Sequence, residues 1–433
     1  MRLLDEIRNR SFENHSQFTV LTGRRRIGKT KLMTKSCQGT PTVYLFVSRN
    51  NETTLCTKFS SVIRESIGAY VPDGISSFVQ LFELLINFGV NHKFNLLIDE
   101  FQEFKRVNES IFSGIQDVWD RYKDRTNVNL IVSGSVYALM HEIFMENDGP
   151  LYGRVDSIFR LRPFKTDVIR EILNDHYPQY TNDDLLALYT ITGGVPKYIE
   201  VLMDRNAFTV RDMIEQVTVE NSIFLEEGNI LLIQEFGKKY GNYFSILSAI
   251  ASGRNTVSAI SEAIGDSNIG GLLSRLEEDY EIIRKKRPIL SKQRSQNVVY
   301  EISDNFLRFW FRYIEPNQNL IQMEMNRQLG EIILSDYNTY SGYTLEGWFR
   351  TKLGESGEYR EISSWWERKK GIEANEIDIV AIKMNKSSAL VAEVKRQRRN
   401  YDHKAFMEKV ERIKNAVLGS FNIETKLFTL DDM

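Results

Sequence analysis

The sequence predicts an α/β protein built on a doubly wound parallel sheet, and three observations support this prediction. The stretch GRRRIGKT (residues 23–30) lies between a β-rich run and a helical one. Further apolar, β-branched runs alternate with helical stretches, as in a parallel sheet with helices on both faces. Two more β-like runs occur near the C-terminus, in residues 376–397, and predict a second α/β domain.

The composition is that of an ordinary globular protein with several domains. Its 433 residues are 42% hydrophobic and 26% charged, with a formal net charge of −2. We therefore expect about two to four domains, with nucleic-acid binding confined to local patches. Two cysteines and five histidines exclude a disulfide scaffold and a zinc cluster. A charged N-terminus and the lack of a long apolar run predict a cytoplasmic protein without a membrane partner.

The stretch GRRRIGKT has the form G-x-x-x-x-G-K-[ST], which binds nucleotide phosphates when it joins a strand to a helix. Gly23 and Gly28 let backbone N–H groups point at phosphate oxygens. Lys29 adds charge for the β- and γ-phosphates, and Thr30 offers a hydroxyl to Mg²⁺. We therefore predict that ATP and Mg²⁺ bind here. The same loop adds three residues to the predicted nucleotide-binding set: Arg26, Ile27 and Lys31.

An acidic pair ends the apolar run FNLLIDE (residues 94–100). Asp99 at a strand end is placed to hold Mg²⁺ through water. Glu100 can orient and deprotonate an attacking water, which an enzyme that transfers phosphate to another substrate does not need. Acidic pairs after strands also occur as helix caps. The position of this pair after a phosphate loop favours the catalytic interpretation.

Two further candidates follow along the chain. The run NVNLIVSGS (residues 127–135) ends in short polar side chains, and Ser135 could sense the γ-phosphate. Arg154 lies in the stretch PLYGRVDSIFRLRPF, before another short strand. An arginine there can stabilise transition-state charge, either within one chain or across the interface of a homo-oligomer. The sequence leaves both routes open.

Several of these stretches carry a resemblance to a known family. GRRRIGKT, LLIDEFQEF, IVSGS, LYGR with LRPF, TGGVPKYIE and YEISDNFLRFWFRYIEP resemble the archaeal and bacterial AAA-like ATPases often grouped with the STAND class of signalling NTPases. The resemblance covers nearly all of the chain and implies a P-loop ATPase joined to a C-terminal domain of unknown function. The Gly-Arg-Glu segment usual before the loop in relatives does not occur in residues 1–22, so the adenine contacts are expected to differ.

The middle of the chain predicts two helical parts. Residues 166–235 have amphipathic helical spacing, and in relatives their Gly193-Gly194 turn faces the nucleotide, which would make this part a lid. A plain turn between helices is the alternative. Residues 236–312 show three short helices and two β-like runs, the layout of a winged helix. The hairpin is basic and predicts DNA contact, with protein contact or simple solvation as the alternatives; its cations are Arg284, Lys285, Lys286, Arg287, Lys292 and Arg294.

Residues 313–433 hold a second candidate site. If the turn of the predicted hairpin centres on MNKS, Asp378 and Glu393 lie directly opposite each other, with Cβ atoms about 5 Å apart. Lys395 points to the same face. With Glu346 on the preceding helix, this set is similar to the PD-(D/E)XK nuclease core, where carboxylates hold Mg²⁺ and a lysine assists. The alternative is a structural hairpin whose acids pair with nearby basic residues.

Four domains are therefore predicted: an ATPase domain (1–165), a helical lid (166–235), a winged helix (236–312) and a restriction-endonuclease-like α/β domain (313–433). The lid and the winged helix would relay nucleotide state to the C-terminal domain, which would bind or cut DNA. One alternative is a nucleotide-controlled switch that binds DNA or protein without cutting. Another is a scaffold that binds ATP but barely hydrolyses it.

Overall fold

The chain folds into two compact units, residues 1–162 and 163–433. The computed structural model describes residues 5, 7, 15–237, 240–292, 297–367 and 375–433. None of the helices within these ranges combines the length and the apolar character needed to cross a membrane.

The first unit contains a five-stranded sheet in which every pairing is parallel. The spatial order is β2-β3-β4-β1-β5. The inner strands β3 and β4 are buried along their whole length, which explains why they read as continuous apolar runs rather than alternating ones. The predicted parallel sheet is confirmed. Its strands are β1 (Gln17–Thr22), β2 (Thr42–Phe46), β3 (Phe94–Asp99), β4 (Val128–Gly134) and β5 (Ser157–Arg160).

Helices cover both faces of this sheet. Successive residues of one strand, such as Val20 and Leu21, belong to two separate apolar cores because side chains alternate between faces. The sheet is therefore doubly wound, and the carboxyl ends of its strands form the edge that carries the candidate site. The helices are α1 (Lys29–Ser36), α2 (Glu52–Ile67), α3 (Phe78–Phe88), α4 (Phe104–Val107), α5 (Ser110–Tyr122) and α6 (Tyr137–Phe144).

The second unit opens with helices and a hairpin. The first five helices are α7 (Thr166–His176), α8 (Asn182–Thr192), α9 (Pro196–Asp204), α10 (Val210–Thr218) and α11 (Ile223–Phe236). Three more follow: α12 (Tyr240–Ala251), α13 (Val257–Ile264) and α14 (Gly270–Glu278). An antiparallel pair comes next, β6 (Ile283–Lys286) and β7 (Val299–Ile302). Three helices before a hairpin is the expected order, and the winged-helix assignment stays a prediction.

The C-terminal part is a mixed sheet with helices beside it. A short helix, α15 (Asn305–Phe309), runs into one π-helical turn, and α16 (Gln318–Gln322) and the long α17 (Asn326–Ser356) follow. The strands lie in the order β11-β10-β9-β8, antiparallel except for the parallel pair β10 and β11. Their bounds are β8 (Tyr359–Trp366), β9 (Glu376–Lys383), β10 (Ser388–Val394) and β11 (Asn422–Phe428), and α18 (His403–Ile413) connects the last two.

The larger apolar core of the second unit includes residues from all three of its predicted segments. It includes Tyr198 of α9, Trp310 of the π-helical turn, Trp348 of α17 and Phe428 of β11. The segments predicted as lid, winged helix and C-terminal domain thus pack around shared side chains. The predicted domain boundaries stay predictions. Residues on both sides of the predicted boundaries at 235 and 312 belong to this one core.

Candidate nucleotide site and C-terminal acidic site

The loop between β1 and α1 has the curled backbone that a phosphate cradle needs. Gly23, Arg26 and Gly28 have positive φ angles of 146°, 67° and 92°. A Cβ atom on Gly23 would lie 2.8 Å from the carbonyl oxygen of Leu161, so glycine is required there. Arg26 carries a Cβ in the left-handed region, which costs about 1–2 kcal/mol and is a form of strain often found at ligand sites. Such a loop collects inward-facing N–H groups that suit phosphate oxygens.

The first residues of α1 place a charge and a hydroxyl beside this loop. Lys29 is buried, and its Nζ donates to the carbonyl oxygens of Gly23 (2.8 Å) and Arg24 (3.1 Å), within the curve of the loop. Ile27 is buried and anchors the loop, whereas the side chain of Lys31 is exposed. The N-terminal end of α1 adds its own partial positive charge. These features fit the phosphates of a nucleotide.

Asp99, at the end of β3, accepts four hydrogen bonds. Thr30 Oγ1 and the Tyr44 hydroxyl donate to its Oδ2 at 2.6 and 3.0 Å. Ser133 Oγ and the backbone N–H of Glu100 donate to its Oδ1. Burial and the nearby Asp99 carboxylate raise the pKa of Tyr44, which keeps its hydroxyl protonated and donating. The adjacent hydroxyl of Thr30 and carboxylate of Asp99 are the oxygen ligands that Mg²⁺ prefers, so the predicted pair fits this ion.

One of the two carboxylate oxygens of Glu100 accepts hydrogen bonds from neighbouring side chains. Its backbone has a φ of 55°, in the left-handed region. Gln102 Nε2 and Ser135 Oγ donate to its Oε2 at 2.6 and 2.8 Å. No residue in the described part of the chain donates to Oε1, so this oxygen is available to accept a proton from water. Ser135 thus orients Glu100, and its contact with the γ-phosphate stays a prediction.

Sequence reasoning missed Tyr44 and Gln102. Tyr44 was part of an ordinary apolar run, and its role depends on β2 pairing with β3 so that Phe46 lies beside Asp99. Gln102 comes close because position 134 is glycine, where a Cβ atom would lie 2.6 Å from Gln102 Oε1. The glycine of the SGS sequence was the available signal, but only the strand order shows which residue it faces.

Arg154 lies near the amino ends of the parallel strands, whereas the phosphate loop lies at their carboxyl ends. Two residues after it, Asp156 Oδ2 accepts the backbone N–H of Phe18, at the start of β1, at 2.7 Å. The guanidinium of Arg154 pairs with Asp120 at 3.3 Å. The phosphate loop follows the carboxyl end of β1, so the predicted action of Arg154 on its own chain's nucleotide does not fit this placement. Action across a homo-oligomer interface stays a prediction.

In the C-terminal sheet, the predicted hairpin residues come together. The last recorded pair of the β9–β10 ladder is Ile379 with Ala392, and the next pair in this register is Asp378 with Glu393. Asp378 Oδ2 accepts the backbone N–H of Val394 at 2.7 Å. The two carboxylates therefore face each other across the hairpin, as the turn position indicated.

Glu393 is buried and already has two cationic partners. Lys395 Nζ lies 2.8 Å from its Oε1, and Lys409 Nζ of α18 lies 3.2 Å from the same atom. Burial alone would lower the pKa of Lys395, but its hydrogen bond with Glu393 and the charge of Asp378 raise it. Lys409 was not identified from the sequence, because its distance along the chain gives no sign of this contact. A cation bound here would have to compete with these lysines.

Glu346 of α17 belongs to the same cluster of acids. Burial and the charge of Asp378 raise the pKa of Glu346 to about 7, although Arg350 lies 3.0 Å away. Burial and the charge of Glu393 raise the pKa of Asp378. Within the described ranges, no three His, Cys, Asp or Glu side chains lie close enough to hold a metal ion. A cation would therefore rest on Asp378 and Glu393, with water or substrate oxygens completing its shell.

Two family models match this chain. Residues 2–202 match an ATPase domain found predominantly in Archaea. Residues 310–407 match a second family, described as archaeal and bacterial proteins of unknown function. The predicted resemblance is thus confirmed for the ATPase domain and for the C-terminal domain of unknown function.

Several known proteins are similar to large parts of this chain. An uncharacterized protein of Methanocaldococcus jannaschii is 29% identical over 392 residues, which cover 88% of this chain and 83% of that protein. A Walker-type ATPase of Pyrococcus abyssi is 20% identical, with a TM-score of 0.54 over 72% of this chain and 94% of that one. The ORC2 protein of Aeropyrum pernix, solved in ADPNP and ADP complexes, is 13% identical, with a TM-score of 0.43 over 75% and 93% of the two chains. The likeness to the Pyrococcus protein supports the P-loop ATPase fold.

Outside the ATPase domain, some cations of the basic hairpin are already paired with acids. Arg284 pairs with Glu301 across the hairpin at 2.5 Å, and Lys285 pairs with Glu277 of α14 at 3.6 Å. Cations neutralised in this way release few counterions and contribute little to binding a phosphate backbone. Of the remaining predicted cations, Lys292 is exposed and Arg294 lies outside the described residues.

The hairpin also packs against the C-terminal sheet. Ser363 Oγ of β8 donates to the carbonyl oxygen of Arg287 at 2.8 Å, and the N–H of Ile289 donates to the carbonyl oxygen of Ser364 at 3.0 Å. Lys286 lies over the ring of Trp366, 5.6 Å from its centre. Lys285, Lys286 and Arg287 are partly buried by these contacts, whereas Arg284 stays more than half exposed beside Glu301. These contacts reduce the free positive charge of the hairpin, and DNA contact through it stays a prediction.

The raised pKa of Glu346 predicts a pH-dependent effect of Glu346→Gln. The pKa of about 7 in the folded state exceeds the unfolded value of about 4.3, so the stabilisation that the proton provides is lost as pH rises through this window. Glutamine cannot ionise, so the variant should become more stable relative to the wild type between about pH 5 and pH 8, by on the order of 1–3 kcal/mol. Denaturant titrations at both pH values measure this. The exposed Glu358→Gln is the control. If the difference in stability between Glu346→Gln and the wild type were the same at pH 5 and pH 8, the raised pKa would be contradicted.

Proposed function

We propose that the protein is a Mg²⁺-dependent ATPase whose nucleotide state controls a nuclease-like, DNA-binding C-terminal domain. The ATPase half rests on one observation, the contacts that join Thr30, Asp99 and Glu100 at the carboxyl edge of the sheet. A phosphate loop alone would fit a kinase equally well. Glu100 directly follows Asp99, the proposed Mg²⁺ ligand, and one of its carboxylate oxygens is hydrogen-bonded while the other is available. This arrangement favours attack by water.

The ATPase residues have separate tasks. The loop N–H groups and Lys29 would bind the phosphates, and Thr30 and Asp99 would hold Mg²⁺, which neutralises developing charge when bound. Glu100 Oε1 accepts a proton from water as that water attacks the γ-phosphorus, and the bond to the leaving ADP oxygen breaks. Gln102 and Ser135 keep the other oxygen of Glu100 fixed, which reduces the reorganisation needed in the transition state.

The nuclease-like half rests on the hairpin acids. Asp378 and Glu393 lie opposite each other, and Lys395 contacts Glu393. Burial nearby raises the pKa of Glu346 to about 7. Two close carboxylates would bind a divalent cation, which could activate water and stabilise charge on a phosphodiester. The resemblance to the PD-(D/E)XK core supports a DNA substrate for this domain.

A regulatory switch without cleavage is the second candidate. The specific observation in its favour is that Lys395 and Lys409 already neutralise Glu393. A buried acid with two cationic partners is stable without a metal ion. A metal ion that displaced either lysine would have to bind strongly enough to compensate for the lost ion pair. In this case the C-terminal domain would bind DNA or a protein and would cut neither.

The nicking of supercoiled plasmid with Mn²⁺ or Mg²⁺ separates these candidates. Wild-type protein should nick, and Asp378→Asn should lower the nicking rate by about 100-fold or more because it removes one cation ligand. ATP hydrolysis should stay within about twofold of the wild type, since Asp378 belongs to the second compact unit and the phosphate loop to the first. The matched control is Asp431→Asn, at an exposed position. Nicking that persists unchanged in Asp378→Asn, or is absent from clean wild-type protein, would favour the switch.

A further inference from the structure

A strongly basic cavity lies in the second unit, between β6, α15 and α17. Its volume is about 430 Å³, within the range of small-ligand sites. Six cations line it: Arg284, Lys285, Lys286, Arg287, Arg308 and Arg350. Glu301 is the acid among its lining residues. The cavity therefore concentrates positive charge in a chain whose net charge is −2.

The protein neutralises only some of this charge. Glu301 pairs with Arg284 and also accepts the hydroxyl of Tyr343. Lys285 pairs with Glu277 of α14, and Arg350 pairs with Glu346 one turn away on the same helix, α17. In the described part of the chain, no carboxylate lies within ion-pair distance of the other three cations, which are Lys286, Arg287 and Arg308. An excess of positive charge therefore remains around the cavity.

Hydrogen-bond donors also remain unmatched there. The Nε atoms of Arg287, Arg308 and Arg350 are buried, and none of them has an acceptor among the described residues. Burial and the charge of Arg350 lower the pKa of Lys286, which is the expected result of crowding cations away from water. Unpaired buried donors and charges destabilise a fold, and such arrangements are common where a ligand binds.

We propose that this cavity binds a small ligand that carries two or more phosphate groups. Guanidinium groups bind phosphate through paired hydrogen bonds, and lysines add point charge, so several cations around one space suit clustered phosphates better than a single anion. The volume suits a small molecule and not a duplex. The ligand would contact α8 through Tyr189, the hairpin through Arg287 and α17 through Arg350, and so would stabilise the second unit.

This inference goes beyond the proposed function and does not depend on whether the C-terminal acids cut DNA. The probe is inorganic tripolyphosphate, titrated calorimetrically into the full chain. Lys29→Ala serves as the background, so that binding at the phosphate loop is removed. Measurable binding is expected, and adding Lys286→Gln and Arg287→Gln should raise the dissociation constant by about tenfold or more. The control pair with the same charge change is Lys292→Gln with Lys404→Gln, both at exposed positions, which should change it by less than about twofold.

A second variant keeps the test independent of folding. Ser303 is exposed and lines the cavity, so Ser303→Glu adds an acid at its rim without disturbing the core. This variant should melt at a higher temperature than its parent and bind tripolyphosphate more weakly. A 5′-phosphorylated dinucleotide and a long single strand serve as further probes. Equal tripolyphosphate affinity in all variants, no binding to the parent, or clearly tighter binding of the long strand than of the small probes would each overturn the proposal.

Discussion

Glu100→Gln is expected to lower the ATP turnover rate by about 10²–10⁴-fold while ATP binding is retained. The amide has nearly the same shape and can still contact Gln102 and Ser135, but it cannot take a proton from the attacking water. The phosphate contacts made by the loop and Lys29 are unchanged, so the dissociation constant for ATP should move by less than about threefold. Phosphate release under saturating ATP measures the first quantity, and nucleotide titration measures the second.

Two further variants make this result specific to Glu100. Glu109→Gln changes an exposed glutamate in the same domain and should leave turnover within about twofold of the wild type. Lys29→Ala should show the opposite pattern, with loss of ATP binding itself, because its charge lies inside the loop. Wild-type turnover in Glu100→Gln would show that another group serves as the base.

Trp310→Ala is expected to destabilise the second unit by about 3–5 kcal/mol. Trp310 is fully buried, and its Nε1 donates to the carbonyl oxygen of Leu225 at 2.9 Å. Its ring packs so closely on Gly228 of α11 that a Cβ atom there would lie 2.2 Å from the ring. Alanine would leave a cavity and an unpaired carbonyl where the helices meet the connector to the C-terminal sheet.

Denaturant titration of the full chain, followed by far-ultraviolet circular dichroism, measures this loss. The transition of the second unit should move to lower denaturant concentration. Met323→Ala removes another large apolar side chain, but one that is 69% exposed, so it should change stability by less than about 0.5 kcal/mol. If Trp310→Ala and Met323→Ala behaved alike, the shared core would not depend on this contact.

The parallel sheet and its site could be predicted because their signals are local. The GKT sequence, the inner strands and the Asp99-Glu100 pair each combine a residue type with a strand end, and parallel strands bring those ends together. The hairpin acids were predictable for a similar reason, since the turn fixes the register that sets Asp378 opposite Glu393. Period-two alternation then places Lys395 beside them.

The sequence could not show contacts between distant segments. The role of Arg154 was predicted from its position in a loop before a short strand. Strand pairing places it near the start of β1 and beside Asp120. The basic hairpin was identified by composition, and only tertiary packing shows that Glu301 pairs with Arg284 and Glu277 with Lys285. A linear pattern shows which residues are charged but not which charges are already paired.

The central claim is that the nucleotide bound in the ATPase domain controls the C-terminal acids. Its most direct test compares Mn²⁺-dependent plasmid nicking by Glu100→Gln with saturating ATP and by the same variant with saturating ADP. This variant should hold ATP without hydrolysing it, so each condition fixes one nucleotide state. The account predicts nicking rates that differ by about fivefold or more, as a coupling free energy of about 1 kcal/mol or more between sites would produce. Equal rates in ATP and ADP would contradict it.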